Sequence, residues 1–168
     1  LVTDQATQEV LADAITKIEA FKNQLQQSTG KRTRVVFHLG QEHVKEDIVG
    51  ADVVVMNPDV PRTSVVFTWA REHRIPIRIG DTTLFIEQCP APIIGVTGTR
   101  GKTTTTSIIG SILRMVDRRS VVAGNLRVSP LSDLSRLQRG GEKKPFVALE
   151  LSSWQVEGLQ DIQKSPHI

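Results

Sequence analysis

The sequence contains a single cysteine, Cys89, in 168 residues. It can form no internal disulfide, and a reducing compartment is expected. Cys89 itself reads as a small buried hydrophobe. Aromatic residues make up 4% of the chain, too few for the stacking platform of a single-strand nucleic-acid binder. Long apolar runs are missing. The longest are strand-length, as at Val53-Val54-Val55-Met56, and far shorter than a bilayer span. No basic segment followed by an apolar one opens the sequence, so a cytoplasmic protein without membrane contact is expected. The histidines, His38, His43, His73 and His167, do not recur at metal-ligand spacing, and structural or solvated roles are expected for them. No internal repeat or low-complexity tract is present.

Hydrophobic residues make up 39% of the chain, enough to pack a core, and the length suits one ordinary domain or two small ones. The net charge of +3 is unevenly spread: residues 1–90 carry 10 Lys/Arg against 12 Asp/Glu, and residues 91–168 carry 11 against 6. A basic second half suits an anionic ligand. Its basic residues are scattered rather than clustered, which argues against DNA or RNA.

Leu1-Val2-Thr3-Asp4 reads as the end of a strand with an acidic tip. Residues 7–27 place Val10, Leu11, Ala14, Ile18, Phe21 and Leu25 at helical spacing, and Gly30 stops that helix. A strand at Arg34–Leu39, a helical turn at Val44–Val49 and a strand at Asp52–Met56 follow. Pro61 can open a helix to about His73. Ile75–Ile79 is another strand, with Asp81 an N-cap candidate for Thr82–Gln88. The apolar runs suggest parallel strands covered on both faces. Cys89-Pro90-Ala91-Pro92 is the linker candidate, because two prolines in three residues disfavour any regular element. Beyond it, Ile93–Thr97 forms a strand, Lys102–Val116 a helix with Ile108, Ile109, Ile112 and Leu113 on one face, and Ser120–Ala123 and Phe146–Leu151 two more strands. The alternation predicts an α/β fold: a partial Rossmann-like parallel-sheet domain at residues 1–89, then the first part of a P-loop NTPase-type α/β domain at residues 90–168. Trp69 and Trp154 read as core.

The chemistry concentrates at Gly98-Thr99-Arg100-Gly101-Lys102-Thr103. Glycines let backbone amides close on a phosphate chain, and the helix start behind them adds its positive dipole end. Lys102 would reach the terminal phosphates and the Thr103 hydroxyl would coordinate Mg²⁺, with ATP as the nucleotide. The strict P-loop pattern asks for glycine at position 96, which is Val96, so the loop is a variant. Glu150 ends a buried apolar strand. A carboxylate there needs a cation, either Mg²⁺ or a partner such as Arg127 or a nearby lysine. Ser152, Ser153 and Gln155 could bond a polar substrate or serve as caps. Asn125 either meets the same crevice or is a turn residue. Asp4 either accepts from a ribose or base, or caps a helix.

The stretch Val96–Thr105 resembles the T-G-T-x-G-K-[ST]-[ST] loop of the Mur ligases, which build the peptide stem of peptidoglycan. Leu149-Glu150-Leu151-Ser152-Ser153-Trp154-Gln155 resembles the L-E-L-S-S-[FW]-Q segment of the D-glutamate-adding branch of that family. Asp52–Val60 with Pro61 resembles its A-D-x-V-V-x-S-P-G-I-P segment. The resemblance implies an ADP-forming acid–amino-acid ligase. With ATP and Mg²⁺ it phosphorylates the carboxylate of UDP-N-acetylmuramoyl-L-alanine, and the amine of D-glutamate then attacks the acyl phosphate. It implies ATP-phosphate contacts from Gly98, Thr99, Arg100, Gly101, Lys102, Thr103, Thr104 and Thr105, and magnesium ligation by Thr103 and Glu150. It further implies substrate contacts from Asn125 and Ser152, uracil contacts from Asp4 and Gln5, and a monomer. Arg127 and Asp59 depart from the family, each standing where it has glycine. The family's first strand with its glycine-rich loop, and the segments that follow the central motifs, have no counterpart here. These 168 residues are therefore not expected to complete the reaction alone. Another Mur ligase, a folylpolyglutamate synthase-like ligase and a non-catalytic ATP-binding module are the alternatives.

Overall fold

Short apolar strands alternating with amphipathic segments can bury both kinds of surface by winding helices against parallel sheets. The computed structural model, which describes residues 1–40, 42–124, 129–139 and 144–168, has that arrangement. The order is β1 (Val2–Asp4), α1 (Ala12–Thr29), β2 (Phe37–Leu39), α2 (Lys45–Ile48), β3 (Val54–Met56), α3 (Val65–Glu72), β4 (Ile77–Ile79) and α4 (Gly80–Gln88). It continues with β5 (Ile93–Val96), α5 (Lys102–Val116), β6 (Val121–Gly124), α6 (Leu131–Gln138), β7 (Val147–Glu150) and α7 (Ser153–Ile162). Strand β1 pairs with β2, β3 with β4, and the second half forms a sheet of order β5-β7-β6, every pair parallel. The α/β fold with parallel sheets is the expected one.

Differences from the expected elements have local causes. Helix α1 begins at Ala12 and none of its residues is buried. Its half-buried stripe runs through Leu11, Ile15, Ile18 and Leu25, while Val10 and Phe21 face solvent. Helix α3 starts after Ser64, whose side chain accepts from the Val66 amide, so Pro61 lies in the preceding turn rather than opening the helix. Asp81 lies inside the first turn of α4 and does not cap it. Coverage on both faces holds for β7, which is buried at every residue. It fails for β3, where Val55 is exposed.

Two apolar clusters hold the chain. One joins Ile48, Met56, Val66, Phe67, Ala70, Ile75, Ile77 and Ile79, with Trp69 packed against it. The other centres on Ile93, Val121, Leu137, Val147 and Leu149 and also takes in Phe85 and Ile86 of α4, from the amino-terminal side of the proline linker. Cys89 is half-buried against this second cluster, where burial pushes its thiol pKa up. Trp154, expected in the core, is instead 59% exposed.

Helix α7 bridges the two clusters. A Cβ on Gly158 would lie 2.7 Å from Cβ of Ile79 in β4, so only glycine admits the observed approach. The Gln155 amide group of the same helix donates to the Thr82 hydroxyl of α4 at 2.7 Å.

Candidate functional site

Strand register assembles the site. Val96 at the end of β5 pairs with Glu150 at the end of β7, and Gly124 at the end of β6 pairs with Glu150 from the other side. The loop that leaves β5 therefore emerges beside a carboxylate at the carboxyl edge of the sheet, where open parallel sheets bind ligands. Gly124 has φ of 107°, and a Cβ there would come within 2.1 Å of the Glu150 carbonyl oxygen. That glycine is what lets β6 close on Glu150.

Residues 97–101 form an exposed loop. Gly101, at φ 76°, is the N-cap of α5 and supplies no side-chain cap. The first-turn amides of this 15-residue helix are thus directed at the loop without an internal acceptor, and the helix dipole adds partial positive charge there. The Lys102 ammonium lies across the same loop and donates to the Gly98 carbonyl at 2.9 Å. Thr103, Thr104 and Thr105 are exposed at the helix start, whereas Thr106 is buried and donates to the Lys102 carbonyl at 2.8 Å. The helix faces the sheet through Thr106 and Gly110, one turn apart, and a Cβ on Gly110 would meet Val122 at 2.0 Å. Ile108 and Ile112, expected with Ile109 and Leu113 on one apolar face, point outward at 56% exposure each.

Glu150 is 2% exposed, and its Oε2 finds no hydrogen-bond partner among the described residues. A buried carboxylate oxygen without a donor is costly, and a cation removes that cost. The alternative partner Arg127 lies outside the described residues, as does Asn125. No cluster of three or more His, Cys, Asp and Glu occurs among the described residues. Magnesium does not require one, since it usually takes one or two protein oxygens and completes its shell with water and phosphate. The residues present fit that donor set: one buried carboxylate at Glu150, one exposed threonine hydroxyl at Thr103, and a glycine-containing loop that leaves the strand paired with Glu150.

Ser152 is the N-cap of α7 and forms a reciprocal capping box with Gln155. Its hydroxyl accepts from the Gln155 amide at 3.2 Å, and its own proton has no acceptor among the described residues. Gln155 is different. It is buried, its Oε1 accepts from the Ser152 amide and its Nε2 donates to Thr82, so it is not placed to bond a substrate.

Asp4 and Gln5 lie away from this loop, in a cleft of about 540 Å³ at the carboxyl ends of β1 and β3. Asp4 accepts from the Ala6 amide at 2.8 Å, which is a turn rather than a helix cap. His43, Asn57 and Asp59 line the same cleft. His43, held to the Thr3 hydroxyl at 2.9 Å, escapes sequence reasoning because no local pattern links it to a strand tip so distant in the chain. His38 pairs with Asp47, and the His167 ring accepts from the Ile93 amide. Among the described residues, no helix is long and apolar enough to cross a membrane.

Residues 96–168 match the family model of the Mur ligase middle domain. The chain is 44% identical over 132 residues to a UDP-N-acetylmuramoylalanine–D-glutamate ligase of a Roseiflexus species, an alignment covering 79% of this chain and 27% of that protein. It is 36% identical over 138 residues to the ligase of that name from Desulfatibacillum aliphaticivorans, covering 79% and 30%. With the one from Thermoanaerobacter pseudethanolicus it shares 30% identity over 162 residues, covering 96% and 34%. The chain spans about a third or less of the length of these curated relatives. The glycine-containing loop, the buried carboxylate in register with its strand and these matches agree, and the chain belongs to the Mur ligase family, with its middle-domain sequence at residues 96–168.

Proposed function

We propose that the chain carries the nucleotide-handling part of an ATP-dependent ligase that joins D-glutamate to UDP-N-acetylmuramoyl-L-alanine and releases ADP and phosphate. On this reading the protein is a cytoplasmic monomer serving peptidoglycan synthesis. Residues 1–89 hold the uridine end of the substrate and residues 90–168 hold ATP. The observation that carries the reading is the Glu150 carboxylate, buried, without a partner among the described residues, and in register with the strand that delivers the phosphate loop.

A carboxylate is a poor electrophile until one of its oxygens becomes a phosphate leaving group, so the reaction needs a phosphoryl transfer first. Amides of residues 98–103 and the Lys102 ammonium would cradle the ATP phosphates and offset charge on the transferring group. Thr103 and Glu150 would hold Mg²⁺, which when bound supplies further charge neutralisation. Ser152 would donate its free proton to the muramoyl-alanine carboxylate end, with Asn125 beside it. Asp4 would accept from the uracil, with Gln5 adjacent, in a cleft that has acceptors to spare.

The test is Lys102→Ala, titrated with Mg-ATP by calorimetry. Loss of a charge-assisted contact to the phosphates is expected to weaken binding by about a hundredfold. Unchanged affinity would remove the phosphate-loop assignment. The amino-acid choice is read separately, by ADP release from the complete protein offered D-glutamate, L-lysine or L-alanine.

A further inference from the structure

The loop Asn57–Pro61 is a wall shared by two clefts. One is the cleft that holds Asp4, Gln5 and His43. The other, of about 400 Å³, is closed on its far side by Trp154 and Glu157 of α7. The wall has its own turn, with the Asp59 amide donating to the Asn57 side chain and the Val60 amide to the Asn57 carbonyl, each at 3.0 Å. These bonds fix its shape but not its position.

Arg62, the next residue, supplies the position. Its Nη1 donates to Asp161 Oδ2 at 2.7 Å, and its Nε lies 3.3 Å from Glu157 Oε1. Glu157 and Asp161 are one helical turn apart on α7 and so present both carboxylates to one guanidinium. The guanidinium carbon also sits 4.9 Å from the ring centroid of Phe67, itself 1% exposed. The side chain is thereby held on three sides, unlike an ordinary surface pair. No other ion pair among the described residues joins this loop to α7. Helix α7 in turn is seated on β4 through Gly158 and starts at the Ser152 cap, two residues beyond Glu150.

We propose that Arg62 is a positioning residue. It clamps the Asn57–Pro61 wall to α7, so that the Asp4 cleft and the Glu150 carboxylate keep one separation for a ligand that spans them. The uridine character of that ligand rests on the function proposed above; the clamp does not.

Arg62→Ala and Arg62→Lys are compared with the unaltered chain by hydrogen exchange and by binding of uridine diphosphate and of Mg-ATP. For Arg62→Ala, exchange at Val60 and Ser64 should rise about tenfold while α5 amides stay as they were. Uridine diphosphate affinity should fall about tenfold and Mg-ATP affinity should hold within about twofold. Lysine, which keeps the charge but lacks the planar fork that meets both carboxylates and Phe67 at once, should restore part of each loss. Unchanged exchange in the wall overturns the proposal, as does an equal loss of both ligands, which would mean general destabilisation. If the unaltered chain takes Mg-ATP but not uridine diphosphate, the uridine reading fails and wall exchange alone decides the clamp.

Discussion

Glu150 carries a cost that a bound cation would remove. Its Oε2 is buried without a donor among the described residues, which leaves a penalty of about 1–3 kcal/mol. Glu150→Gln keeps the shape and removes the charge. In Mg²⁺-free buffer the variant should melt higher, by roughly 2–12 °C for a chain of this size, and it should lose any Mg²⁺-dependent gain in thermal stability. A lower melting point without magnesium would mean that the carboxylate already has a partner. Glu150 was legible beforehand because an acidic residue ending a buried-type strand violates the pattern around it. Ser152 was half legible: the S-x-x-Q spacing with Gln155 is a capping box, and the structure forms it. Trp154 was misjudged. An exposed indole and a buried one look alike in a run of apolar neighbours, and only the path of α7 turns this one outward.

Among the elements, α5 was read with its bounds correct because Gly101 and the threonine run mark its start so strongly. Its buried face was not. The helix approaches the sheet through Thr106 and Gly110, since small residues permit a closer approach than isoleucines would; Ile108 and Ile112 are left outside, while Ile109 and Leu113 are half-buried. Helix α7 repeats the device at Gly158. An alanine in a helix normally stabilises by about 1 kcal/mol over glycine. At Gly158 the added methyl meets a Cβ of Ile79 at 2.7 Å, an atom that cannot swing away. Gly158→Ala should therefore destabilise the chain by about 1–3 kcal/mol, read by urea unfolding. A stabilised variant would show that α7 can lift from β4 at little cost. Helix α6 was overlooked, although Leu131, Leu134 and Leu137 repeat at three-residue spacing and Leu137 is fully buried.

For the whole molecule the question is whether the two apolar clusters unfold together. Gln155 and Thr82, both buried, bond across the segment that sequence composition marks as a linker, and Phe85 and Ile86 pack with the second cluster. Single-tryptophan variants, Trp154→Phe and Trp69→Phe, leave one indole against the first cluster or one at the start of α7, and their fluorescence melting midpoints should coincide. Gln155→Ala, which removes the bond from α7 to the Thr82 hydroxyl and leaves that hydroxyl only its 3.4 Å contact with Asp81, should lower both midpoints together, by about 2–3 kcal/mol of stability. Two separate midpoints would mean that the halves fold independently and that this bond is incidental.

Local chemistry alone determined the start of α5 at its glycine turn, the alternation of strand and helix, and the acidic strand end. Each depends on residues adjacent in the chain, where glycine, β-branched runs and a lysine at a helix start act directly on the backbone. Packing decided the rest: which face of α5 is inside, that Gln155 serves the interior rather than a ligand, that His43 and Asp59 share a cleft with Asp4, and that Arg62 reaches α7. Those are contacts between segments 40 to 100 residues apart, and no short-range pattern encodes a partner that only the closed fold brings near.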